Sequence, residues 1–90
     1  MLPSYLPNFI ITHNVIENKK SRSLEAHEKT DYPFYFELYD DDDVLYARGY
    51  GHDMQYSESA IFEPLDTWGA AYGCTKIKLR DKETNKMEFA

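Results

Sequence analysis

Cysteine occurs once in this 90-residue chain, at Cys74, so no disulfide can close within it and no second thiolate is available to build a zinc site. Glycine and proline occur four times each, too sparsely for a flexible linker or a low-complexity segment. No uninterrupted apolar run approaches the roughly 18 residues that a membrane-spanning helix needs. The opening Met1-Leu2-Pro3-Ser4-Tyr5-Leu6-Pro7 has neither the basic start nor the apolar stretch of an export signal. Together these absences lead to the expectation of a cytoplasmic protein with no membrane attachment.

Basic residues are scarce where acidic ones crowd. Between Asp31 and Asp66 ten carboxylates face a single base, Arg48, whereas residues 1–30 and 67–90 are slightly positive, so a net charge of −6 conceals a middle third at −9. Aromatic residues are abundant instead. Eight tyrosines, five phenylalanines and one tryptophan give 16% aromatic content, and 42% of the chain is apolar, which is too much for a disordered polyelectrolyte. Aromatic side chains supply a large buried area per residue and favour strands, as a small domain with neither disulfide nor zinc requires.

The patterning agrees with that composition. Residues 9–16 are dense in β-branched side chains behind Pro7, and residues 32–39 alternate, with Tyr32, Phe34, Phe36 and Leu38 expected on one face and Tyr35, Glu37 and Tyr39 on the other. Residues 44–51 alternate again, opposing Val44, Tyr46, Arg48 and Tyr50 to Leu45, Ala47, Gly49 and Gly51. Asp40, Asp41, Asp42 and Asp43 join these two strands into a hairpin, because aspartate carboxylates bond nearby backbone amides in turns. A second hairpin is expected from residues 74–80 and 86–90 around the polar run 81–85. Residues 52–60 read as a connector. Residues 61–73 read as a short helix beginning at Pro64 and capped by Gly73, or as an aromatic-pinned loop. Residues 17–30, with Leu24 as their only sizeable apolar side chain, read as a mobile loop. The expected fold is α+β and mostly β: one small domain over residues 1–90, with an antiparallel sheet of four to five short strands in hairpins and at most one or two short helices.

Candidate chemistry is thin. Counting a calcium-loop pattern from Asp40 puts Val44 and Leu45 where an oxygen ligand and a glycine are needed. His52-Asp53 follows Gly49-Tyr50-Gly51, but neighbours on an extended chain point to opposite sides, so the pair is not an acid–base site by sequence alone. Cys74 with His13, His27 or His52 has no local signature of a nucleophile and its base. Trp68 fits a core position better than an exposed anchor. No catalytic residue, metal ligand or cofactor is therefore assigned. The expected activity is non-catalytic: a small acidic regulator or inhibitor that docks through a Tyr/Asp-rich hairpin made of Tyr35, Glu37, Tyr39, Asp40, Asp41, Asp42, Asp43, Tyr46, Arg48 and Tyr50. Its expected partner is a protein with a basic surface, such as a nucleic-acid-binding protein whose ligand the carboxylates imitate. Direct nucleic-acid binding is disfavoured by the negative field. The alternative is a homo-oligomeric structural domain with a solubilising acidic surface.

Overall fold

Phe34, Phe36 and Leu38 alternate with Tyr35, Glu37 and Tyr39, and this period-two pattern makes the central strand of the protein. The computed structural model describes residues 8–16, 19–20, 31–52, 54, 58–81 and 83–90. Among them are strands β1 (Phe9–Asn14), β2 (Lys19–Lys20), β3 (Phe34–Tyr39), β4 (Leu45–Gly51), β5 (Lys76–Arg80) and β6 (Met87–Phe89). All neighbours pair antiparallel, in the order β2-β1-β4-β3-β5-β6, with the two-residue β2 at one edge. One helix, α1, spans residues 58–72 and connects β4 to β5. The fold is α+β and mostly β, as the alternation implies. Of the segment expected to be a loop, Lys19 and Lys20 pair with His13 and Asn14, and the remainder lies outside the described residues.

One face of the sheet carries the core. Phe36 and Leu38 are fully buried and Phe34 nearly so. Ala47, Cys74, Ile77 and Met54 close around them, with Phe62, Leu65 and Trp68 of the helix packed on top. Fully burying such side chains contributes roughly 1.5–3 kcal/mol each. Gly49 is needed here: a Cβ at that position would run into the Ile10 carbonyl and the ring of Phe36. Tyr32 departs from the expected alternation. It is buried in a second cluster with Ile10, against which Tyr50 packs, and not with Phe34 and Phe36.

The helix corrects the sequence expectation in both length and start. It begins at Glu58, inside the stretch read as a connector, and Pro64 lies within it. Proline has no N–H to donate and its ring crowds the preceding turn. The helix absorbs this by widening over Leu65–Gly69 into a π-type turn, in which the Ala70 N–H reaches back five residues to the Leu65 carbonyl. Thr67 Oγ1 also donates to the Glu63 carbonyl, at 2.7 Å. Gly73 then ends the helix in a left-handed conformation, φ 86°, and the Cys74 N–H closes onto the Gly69 carbonyl at 2.9 Å.

Candidate functional site

With α1 on one face of the sheet, the opposite face of β3, β4 and β5 is covered by no described helix. Register determines what it presents. Glu37 pairs with Arg48 on one side and Lys78 on the other, Tyr35 with Tyr50, and Tyr39 with Lys76. Residues paired across strands share a face, so Tyr35, Glu37, Tyr39, Arg48, Tyr50, Lys76, Lys78 and Arg80 form one surface, with His13 beside Arg48 and Phe89 beside Lys78. Each of the strand side chains is partly exposed, and Phe89 is 46% exposed.

Glu37 lies at the centre of this surface. The Tyr35 hydroxyl donates to its Oε2 at 2.8 Å and the Tyr39 hydroxyl to its Oε1 at 2.7 Å, so both oxygens are engaged. Burial, reinforced by the Glu37 hydrogen bond and charge, holds both phenols protonated; Tyr39 is pushed up to about 12 and Tyr35 higher still. Two aromatic pairs flank the carboxylate: Tyr35 with Tyr50, ring centroids 5.3 Å apart, and Tyr39 with Phe89 at 5.7 Å. The cations of β5 rest on these rings. Arg80 lies 5.2 Å from the centre of Tyr35, and Lys78 lies 5.1 Å from Tyr39 and 4.6 Å from Phe89. Arg48 Nε is buried with no hydrogen-bond partner among the described residues.

The four aspartates lie at the end of the hairpin and are largely engaged by the protein itself. Asp40 Oδ1 accepts from the Asp42 and Val44 amides at 2.9 and 3.0 Å, and the Val44 bond is the main reason its carboxyl sits below the usual range. Asp41 Oδ1 accepts from Thr75 Oγ1 at 2.6 Å, and Asp43 Oδ1 binds Lys76 Nζ at 2.8 Å. The tip thus clasps the start of β5. Among the described residues no group of three or more His, Cys, Asp or Glu side chains is arranged to hold a metal ion.

Tyr46 does not join the other tyrosines. The β3–β4 register slips between Leu38 and Tyr39, so Leu45 pairs with Tyr39 and Tyr46 packs against the core side, its phenol raised first by a hydrogen bond to Asp40. Ten residues were named from sequence. The structure gathers Tyr35, Glu37, Tyr39, Arg48 and Tyr50 on the open face, places Asp40 to Asp43 at its rim, and turns Tyr46 away. Lys76, Lys78, Arg80 and Phe89 were missed, although their alternation was visible, because strand order alone brings β5 beside β3.

The other candidates do not converge. Cys74 is buried beneath the end of the helix, its thiol pushed up to about 11 by burial and by Asp40, while His13 faces the open side. His52 Nδ1 lies 2.6 Å from the Asp31 carbonyl oxygen; Asp53 and His27 lie outside the described residues. Trp68 stacks on Tyr72 at 4.2 Å while packing against the core. A groove of about 650 Å³ opens on the helix side near Phe34, Ile61 and Leu79, and among the described residues its rim sets Asp81, Glu83 and Glu88 against Arg80. Comparison with protein-family models, with curated proteins and with solved structures finds no match to this chain.

Proposed function

We propose that this protein is a non-catalytic binding module, a regulator or inhibitor that docks a larger molecule on the open face of β3, β4 and β5. The observation that carries this is a sheet face left uncovered by the helix, on which Tyr35, Tyr39, Tyr50 and Phe89 lie partly exposed beside Arg48, Lys78 and Arg80. Aromatic and arginine side chains dominate binding hot spots, because they bury much area while losing little conformational freedom. The hairpin remains the centre of the site, but its tyrosine face does the docking. Its aspartates act chiefly as the clasp to β5, which weakens their case as the surface for a basic partner.

Labelling the protein with nitrogen-15 and titrating it with oligolysine, oligoglutamate and oligothymidylate tests the location of the site. The expected result is that one of these probes shifts the amides of Tyr35, Glu37, Tyr39, Arg48 and Tyr50 together. Shifts confined to Asp41, Asp42 and Asp43 with oligolysine would return the site to the acidic tip and its partner to a basic protein.

A second reading has its own observation. Strand β6 ends the sheet with no described strand on its outer edge, and its Phe89 is 46% exposed, so two copies pairing there would make a homodimer. Light scattering across a hundredfold range of concentration distinguishes it, since a monomer throughout removes that alternative.

A further inference from the structure

The docking reading leaves the chemistry of the occupant open, and the charges on the face narrow it. Four of the ten Lys and Arg residues in the chain (Arg48, Lys76, Lys78 and Arg80) share this surface, against Glu37 as the acidic side chain among its described residues. Asp43 draws Lys76 toward the rim, while Lys78 and Arg80 rest on aromatic rings and make no described ion pair. A protein of net charge −6 thus folds so that the sheet face covered by no described helix carries an excess of basic side chains among its described residues. Glu37, flanked by Arg48 and Lys78, offsets one of the four positive charges and Asp43 offsets that of Lys76, which leaves two of the four uncompensated.

Positive charge alone would suit any polyanion, but the aromatic rings discriminate. Two ring pairs, Tyr35 with Tyr50 and Tyr39 with Phe89, lie four residues apart along β3, about 14 Å at strand rise, with Arg48 and Lys78 between them. A ligand that alternates flat π-surfaces with regularly spaced anionic charge uses both features at once. Unstacked bases supply the first and phosphates the second, which is how sheet-based platforms hold single strands. An acidic polypeptide would meet the cations and leave the rings with little to stack on. Resting on rings, Lys78 and Arg80 are also poised to swing onto a phosphate, freeing a ring face for a base.

We propose, building on the docking reading, that the open face binds single-stranded nucleic acid, with Tyr35, Tyr39 and Phe89 stacking bases and Arg48, Lys78 and Arg80 holding phosphates. Recognition is through shape and charge and is sequence-tolerant.

Fluorescence anisotropy of labelled dT12 and rU12, with oligoglutamate of matched charge as competitor and the nitrogen-15 shifts as the map, tests it. Binding of either oligonucleotide at the face is expected, with affinity falling about twenty-fold as salt rises from about 50 to 200 mM, the value for three released counterions on a single strand. Tyr39→Ala or Phe89→Ala should cost about tenfold, while Tyr39→Phe, which keeps the ring but loses the hydroxyl, should bind nearly as the parent does. Lys78→Ala should flatten the salt dependence. Circular dichroism of each variant separates lost binding from lost folding. If oligoglutamate shifts the face and the oligonucleotides do not, the occupant is an acidic polypeptide and this proposal falls while the docking reading stands. If oligonucleotides bind but the ring-deleting variants bind equally well, the face attracts polyanions without stacking and the proposal falls. If no probe moves the face, both fall.

Discussion

Glu37 shows how much one side chain organises here. Its two oxygens hold the Tyr35 and Tyr39 hydroxyls in place, fixing the rings that carry the aromatic pairs and the cations above them. Both phenols ionise later than the ordinary tyrosine value of about 10, chiefly through burial and then through Glu37. Raised folded-state values mean that this contribution to stability is complete below about pH 10 and is lost as pH climbs through Tyr39 near about 12. A spectrophotometric titration should accordingly show a late tyrosinate fraction that overlaps alkaline unfolding. Glu37→Gln should bring Tyr39 part of the way back toward its ordinary value, part only because burial persists; a titration unmoved by that change would separate the phenols from Glu37. Cys74 provides a second check. Its buried thiol is held protonated to about pH 11, so alkylation at mild pH should proceed only as fast as the protein opens.

Element by element, the strands were legible because the side-chain period of two survives wherever one face is buried, as in Phe34 to Tyr39 and Lys76 to Arg80. The helix was legible only from Pro64 to its Gly73 cap, and there as one of two readings, because its first turn, Glu58 onward, is polar and Pro64 imitates a helix start while lying within one. The misplaced facing of Tyr46 has a different source from that of Tyr32, which precedes β3. A bulge inserts one residue without leaving a mark in the alternation, so the turning of Tyr46 toward the core could be read only from the pairing register. Two glycines set the tolerances of these elements. Gly73 holds φ 86° with nothing within 4 Å of where a Cβ would stand, so Gly73→Ala should cost about 1 kcal/mol through backbone conformation alone. Gly49→Ala instead forces a methyl against the Ile10 carbonyl and Phe36, and should cost about 1–3 kcal/mol by overpacking the β1–β4 junction. Denaturant midpoints at unchanged slope would verify both, and the larger loss should belong to Gly49.

At the scale of the molecule, a tally of charge along the chain misled where a tally by face does not. The −9 of the middle third suggested an acidic docking surface, yet three of the four tip aspartates bond to the chain's own amides, to Thr75 or to Lys76, and the sheet face beside them gathers basic side chains from β5. Net charge still matters, because it sets the long-range field that an approaching anion must cross before local complementarity acts. Asp41→Asn with Asp43→Asn separates the two effects. The amide oxygens can still accept from Thr75 and Lys76, so the clasp keeps its geometry, while the net charge rises from −6 to −4 and Lys76 is released from an ion pair. Solvent screens that exposed pair, so folding stability should hardly change. Were the tip the docking surface for a basic partner, the double variant would bind oligolysine more weakly and leave dT12 unbound. With the open face as the site, it should bind dT12 more tightly and with a steeper salt dependence, because one more cation becomes available to a phosphate.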